Sequence, residues 1–239
     1  MRKGWLQSSL ACVLLSCVFS AALAAAPAIP LYHATYSMGS VLTADFSLTQ
    51  NKDGTYTYRS VTQTSGLVAL FRRITFTETS HFAVAHGNLQ PLLYSYIRSD
   101  NGNDQSETIQ FDWNKGVAYS TNGGKPRMLP LKAGTYDRLL AQLAISMNLE
   151  AGKTVEDYPV LDHNKINIYH MQQQGSTTLK TPAGEYEVIE IARKALKKDR
   201  VTTFWLAPKL DYLPVQMQQT ETGKATISLV LTKIKLDTK

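Results

Sequence analysis

Cysteine is nearly absent. The 239-residue chain has 2, Cys12 and Cys17, both close to its start. Beyond them no disulfide, thiolate nucleophile or cysteine-bound metal can form, so the rest of the chain depends on its packed core. Long apolar runs are also missing. After the first stretch, no segment approaches the about 20 residues that a membrane-spanning helix needs. Catalytic signatures are missing as well: there is no His-Glu-x-x-His, Gly-x-Ser-x-Gly or Ser-x-x-Lys, and no glycine-rich phosphate cradle. The histidines (His33, His81, His86, His163, His170) include no pair at helical i,i+4 spacing. Asp162-His163 comes closest to a site and is read as part of a hairpin turn. No residue is therefore assigned as catalytic, cofactor-binding or metal-binding, and the expectation is a protein without enzymatic activity. No basic stripe with interleaved aromatics is present, which argues against nucleic acid as a partner.

The one long apolar stretch has a different meaning. Arg2 and Lys3 form a basic start, Leu10 to Leu23 an apolar core, and Ala22-Leu23-Ala24 a small-x-small cleavage pattern. Residues 1–24 are expected to be a secretory signal peptide and 25–239 a single β domain, exported to the periplasm and not transmembrane after cleavage. A rival reading takes Leu14-Leu15-Ser16-Cys17 as a lipoprotein box that would tether the chain through Cys17. Val18 and Phe19 continue the apolar run where a lipoprotein usually turns polar, which favours the free form. About 215 residues then remain, enough for one domain with a substantial core. The formal charge of +6 falls by two when Arg2 and Lys3 leave. That modest excess suits solubility, with anionic headgroups as a second use.

Apolar/polar alternation dominates the remainder of the chain. Leu42, Ala44, Phe46 and Leu48 alternate with polar or small residues, and Asn51-Lys52-Asp53-Gly54 supplies a turn. Tyr56 and Tyr58 lie on the returning strand, so 41–63 reads as a β-hairpin. Turn signals recur at His86-Gly87-Asn88, Asn101-Gly102, Asn114-Lys115-Gly116, Asn122-Gly123-Gly124, Pro182-Ala183-Gly184 and Thr222-Gly223-Lys224. The strand-like runs between them include Ile74–Val84, Leu92–Arg98, Glu107–Trp113, Ile166–Met171, Tyr186–Ala192, Val201–Leu206 and Ala225–Leu236. Gly123 to Gly134 is the weakest point, with roughly seven strands before the helix and six or seven after it. Tyr136 to Leu149 breaks the pattern: it lacks Gly and Pro, and Leu139, Leu140, Leu143, Ala144 and Met147 share one helical face. Thr135 is the expected N-cap and Gly152 lies just past the end. A shorter helical turn is expected over Gly66–Phe71. The resulting fold class is mainly β: a curved antiparallel sheet or partly open β-barrel with one main amphipathic helix at about 136–149.

Two groups of residues stand out as candidate contacts. Tyr56, Tyr58, Phe71, Tyr94, Tyr96, Trp113, Leu140, Met147 and Trp205 could line an apolar concavity, although aromatics also fill β cores. Arg193, Lys194, Lys197, Lys198 and Arg200 form the densest basic cluster, a solvated loop or a contact for an anionic surface. Glu185, Glu187 and Glu190 read as the polar end of a strand rather than as paired catalytic carboxylates.

Several segments together carry a family resemblance. They are Leu31-Tyr32-x-Ala34-x-Tyr36, Asp53-Gly54-x-Tyr56-x-Tyr58, Gly66-Leu67 with Phe71, Leu89-x-Pro91-x-x-Tyr94-x-Tyr96 and Phe111-Asp112-Trp113. Asp137-x-Leu139-Leu140, Thr181-Pro182-Ala183-Gly184-x-Tyr186 and Thr203-Phe204-Trp205-Leu206 leading to Leu213-Pro214-Val215 complete the set. In order and spacing the chain resembles the exported bacterial family catalogued as domain of unknown function 3108 (DUF3108). The resemblance implies a secreted antiparallel β domain with one main helix, and it brings no catalytic residues. At the level of fold alone, a curved sheet clasping a helix is similar to the LolA/LolB-like lipoprotein carriers.

The resulting expectation is a binding or carrier domain for a lipid or other amphipathic cell-envelope molecule, without a cofactor. An envelope protein partner, in a structural or interaction module, is the alternative. An enzyme acting on cell-wall glycan is the third, and it requires two carboxylates across a cleft.

Overall fold

The computed structural model describes residues 29–194 and 199–237. The expected signal peptide with Cys17, and Lys197 and Lys198, lie outside the described residues. The first half is a run of hairpins: β1 (Tyr32–Met38), β2 (Leu42–Gln50), β3 (Tyr56–Thr64), β4 (Ile74–Ala85), β5 (Asn88–Asp100), β6 (Asn103–Asp112), β7 (Val117–Asn122) and β8 (Lys125–Pro130). A one-turn helix α1 (Val68–Phe71) interrupts them between β3 and β4. Helix α2 (Arg138–Glu150) follows. The second half comprises β9 (Asp157–Asp162), β10 (Lys165–Thr181), β11 (Gly184–Lys194), β12 (Arg200–Ala207), β13 (Leu213–Glu221) and β14 (Ile227–Leu236).

All fourteen strands join one antiparallel sheet, in the order β8-β7-β6-β5-β4-β3-β2-β1-β14-β13-β12-β11-β10-β9. The sheet curls without closing. Its first and last strands in sequence meet in the middle, with Tyr32 opposite Leu236, while β8 and β9 form the two edges. The free edge of β9 is covered by the segment before α2: the Tyr136 N–H donates to Pro159 O at 2.9 Å and the Leu161 N–H to Tyr136 O at 2.8 Å. Among the described residues, no helix is long and apolar enough to cross a membrane.

The short turns follow from local chemistry. Asn101 and Gly102 both adopt positive φ, +50° and +88°, so a two-residue turn matches the right-handed twist of β5 and β6. Strand β8 is less legible, since Pro126 and Pro130 remove donors and none of its residues is buried. As an edge strand it tolerates both prolines. Strand β10 runs well past Met171, through Gln172 to Thr178, where both faces are mostly exposed and alternation gives no signal.

Helix α2 starts two residues later than its periodicity suggests. Its N-cap is Asp137, whose Oδ1 accepts the N–H groups of Leu139 and Leu140 at 3.0 and 2.8 Å. The Thr135 hydroxyl is instead buried without a partner. The C-terminus ends as expected: Gly152 takes φ +70°, and its N–H reaches Leu149 O at 2.9 Å. Burial is broader than one stripe. Ala141, Ile145 and Ser146 are buried along with Leu139, Leu140, Leu143, Ala144 and Leu149, because the sheet wraps the helix. The Ser146 hydroxyl donates to Tyr212 O at 2.8 Å, so the added burial leaves its donor satisfied.

Candidate functional site: a two-lobed cavity beside the helix

Alternation decides which side chains face the helix. The register pairs Ser60 with Glu78, Glu78 with Tyr96, and Tyr96 with Glu107, which sets one polar row across the concave face. The neighbouring row holds Tyr58, Ser80, Tyr94, Ile109 and Ser120. Arg138, the first residue of α2, points into the polar row. Its guanidinium donates to the Tyr94 hydroxyl at 2.8 Å and to Glu78 Oε1 at 3.2 Å, and it lies 3.3 Å from Asp162 Oδ1. It also sits 4.7 Å from the centre of the Tyr96 ring, a cation–π distance.

Four carboxylates crowd this one guanidinium. Asp137 Oδ2 accepts from the Ser80 hydroxyl at 2.6 Å, yet burial outweighs that bond and pushes its carboxyl up to about 6. Burial also raises Glu78, with Arg138 offsetting part of the rise. Burial and then the neighbouring Asp162 charge raise Glu107. Arg138 is held above its ordinary value: burial works to lower it, and Glu78, Tyr94 and Asp162 outweigh that.

Glu107 is 2% exposed, and neither carboxylate oxygen has a hydrogen-bond partner. It approaches the β9–β10 turn, where His163 and Asn164 take positive φ, +51° and +59°. Glu107, Asp162 and His163 each bring one ligand atom within 4.8 Å of the others, so these three residues could hold a metal ion.

Two connected lobes open beside α2. The polar lobe, about 280 Å³, is walled by Glu78, Arg138, Gln142, Asp162, Tyr169, Arg193 and Thr202 among others. The second, about 310 Å³, adds Phe46, Leu139, Met217, Ile227 and Leu229. Glu78, Gln142, Thr202, Phe204 and Gln219 belong to both. Three atoms on these walls are buried without a partner: Gln142 Oε1, Arg193 Nε and Thr202 Oγ1. Arg193 stacks on Tyr169 at 3.9 Å and forms no salt bridge among the described residues, whereas Arg200 is paired with Glu221 at 2.8 Å. A larger hollow on the outer face, bordered by His33, Asp45, Arg59 and Lys235, contains none of the unpartnered atoms.

The nine aromatic and apolar candidates are spread through the fold, and none forms a wall of either lobe. Tyr58 accepts from the Tyr32 hydroxyl at 2.8 Å in the core, Tyr94 accepts from Arg138, and Leu140 is wholly buried. Tyr56 stacks on Phe82 at 5.3 Å, and Tyr96 lies under Arg138. Trp113 donates to Pro91 O at 2.7 Å, and Met147 and Trp205 pack half-buried against the core. Phe71 is 86% exposed on α1. Of the basic cluster, Arg193 and Arg200 wall the polar lobe and Lys194 is exposed. The inward carboxylates are the residues that sequence reasoning missed. Glu107 alternates with buried Ile109 and Phe111, and that in-phase charge is the signal that could have found it.

Fold and cavity together define a curled, β-barrel-like domain with a helix and a polar pocket inside. The chain belongs to the DUF3108 family, described as a protein of unknown function, whose model matches residues 31–230. Among solved structures it is similar to a beta-barrel-like protein of domain of unknown function DUF1849 from Brucella abortus. The two share 11% identity at a TM-score of 0.58, over 88% of this chain and 99% of that one. At that identity the likeness concerns the fold alone. No curated protein matches the chain.

Proposed function

We propose that this protein is an exported, non-enzymatic binding or carrier domain for a lipid or other amphipathic molecule of the cell envelope. The observation that carries the reading is the contrast between the two lobes. One lobe adds Phe46, Leu139, Met217, Ile227 and Leu229, the other adds Arg193 with its unpartnered Nε, and the wall they share holds the unpartnered polar atoms of Gln142 and Thr202. Leaving a buried polar atom unpaired costs about 1–3 kcal/mol, so three on one wall favour a bound group that satisfies them. A ligand with an apolar body and a polar head matches both halves, with the head beside Arg193. An anionic head is favoured there, because that guanidinium has no carboxylate partner among the described residues.

The test is native mass spectrometry of protein recovered from the periplasm, then organic extraction and lipid analysis. A stoichiometric amphipathic adduct that is lost in a Gln142→Leu/Thr202→Val variant supports the reading. A bare chain that also takes up no added acyl-chain probe overturns it.

A further inference from the structure

The corner between β3 and β4 carries three large apolar side chains that are the most exposed of their kind among the described residues. Leu67 is 76% exposed, Leu70 77% and Phe71 86%, all within one turn of chain around α1. Isolated apolar residues on a surface need no explanation, but three large ones on one convex tip do.

The tip is built, not loose. At its base, Gly66 takes φ +55°, and any Cβ there would lie 2.6 Å from Ser40 O, so only glycine permits the approach. The Ser65 N–H donates to Val41 O at 2.8 Å, and the Ser65 hydroxyl donates to Ser40 O at 2.9 Å. On the returning side the Thr64 hydroxyl donates to Arg72 O at 3.0 Å and accepts the Ile74 N–H at 3.1 Å. Arg72 grips both oxygens of Asp100, at 3.1 and 2.7 Å. These bonds tie both ends of the exposed turn to the neighbouring strands.

Position and charge bear on what it could meet. In an antiparallel sheet, the end of β3 lies on the same rim as the ends of β11 and β13 and the starts of β12 and β14. That is the rim beside Thr62, Arg200, Gln219 and Ile227 of the two lobes. The apolar tip runs straight into Arg72, whose charge is paired with Asp100, and Arg73; Lys194 lies on the same rim but six strands further along the sheet. Arg73 and Lys194 form no salt bridge among the described residues. Apolar side chains at the apex with Arg73 just behind fit the boundary between acyl chains and anionic headgroups.

We infer that Leu67, Leu70 and Phe71 form an anchor that inserts into an anionic lipid bilayer surface and holds the mouth of the cavity against it. The anchoring rests on the tip alone; only the use of that orientation for loading cargo rests on the function proposed above.

The test uses the chain as its cell processes it, with a Phe71→Trp reporter, mixed with vesicles of phosphatidylglycerol and, separately, of phosphatidylcholine. The expected result is blue-shifted emission and co-sedimentation with the anionic vesicles, weakened by salt. A Leu70→Asp/Phe71→Asp variant, whose changes touch only exposed positions, should lose at least tenfold in vesicle affinity while keeping its thermal melt. Failure of the wild type to bind anionic vesicles overturns the anchor, as does equal binding by the double variant. Capture of a protein by a crosslinker at position 71 in a chain that ignores vesicles also overturns it, in favour of a protein partner. Normal vesicle binding by a chain that carries no cargo leaves the anchor standing and removes the carrier reading.

Discussion

The Ser120 hydroxyl on β7 donates to Asn164 Oδ1 at 2.6 Å, joining the two ends of a sheet that shares no backbone ladder across that gap. The Asn164 amide also donates to Lys125 O at 2.9 Å. One side chain therefore fastens the β9–β10 turn to both strands of the opposite edge hairpin, and it does so from a left-handed backbone position that Asn tolerates. Replacing Asn164 with Ala removes both bonds, strands the buried Ser120 hydroxyl and forces Ala to φ +59°. The expected loss is about 2–4 kcal/mol in urea unfolding. A double-mutant cycle with Ser120→Ala should return a coupling of about 1 kcal/mol or more, and strict additivity would dissolve the link.

Asp137 gives the fold an unusual pH response. Its folded carboxyl titrates at about 6, above the unfolded range, so the native state binds the proton more tightly. Stability therefore rises as pH falls from about 6 towards about 4, by up to about 3 kcal/mol, and is lowest above pH 6. Glu221 acts in the opposite sense. Lys224 and Arg200 hold it down at about 2, and its contribution is lost as pH drops towards that value. Melting temperatures should peak in mildly acidic buffer. Asp137→Asn, which keeps an N-cap acceptor, should flatten the slope between pH 4 and 6; an unchanged slope would locate the proton elsewhere.

Glu107 is buried without a hydrogen bond, and burial pushes its carboxyl up. Glu107→Gln removes a charge at nearly constant volume. It should stabilise the fold at pH 8 by about 1–3 kcal/mol, and the gain should vanish in acid where both forms are neutral. A destabilised Gln variant would mean that the carboxylate has a partner in solution, and a cation held with Asp162 and His163 is the arrangement the geometry allows.

Gly66→Ala tests the corner that presents α1. Positive φ and the 2.6 Å approach to Ser40 O both act against a side chain. The variant should lose about 2–3 kcal/mol and show faster proteolysis at the corner. Gly87→Ala, where a Cβ would meet nothing, provides the comparison for φ alone.

Sheet, hairpins and helix were legible because each follows from local sequence. Leu42, Ala44, Phe46 and Leu48 reveal the inner face of β2, and Asn101-Gly102 and Gly123-Gly124 fix two-residue turns. Strand β8 was not legible, because an edge strand with two prolines and no buried residue leaves no alternation to read. The cavity was less legible still. Its walls join Arg138 and Gln142 on the helix to Glu78 on β4 and to Arg193 and Thr202 on β11 and β12. Nothing local links these positions, and each reads alone as an ordinary polar residue. Aromatic residues drew attention instead, yet Tyr58 and Tyr94 are spent on packing and on holding hydroxyl hydrogen bonds in the core.

The pairing of β1 with β14 has a kinetic side. Tyr32, Ala34 and Tyr36 start the fold and are wholly buried, but the strand they occupy gains its second neighbour only from Leu231, Ile234 and Leu236 near the end of the chain. Loop-closure entropy for that contact spans almost the whole chain and must be overcome before the ladder rewards it. Two half-sheets can form early, each from consecutive hairpins, while β1 still presents a bare apolar edge of the kind that seeds aggregation. The zipping of the two halves along β1 and β14 is therefore the expected slow step, and a nascent chain would be exposed until that ladder is made.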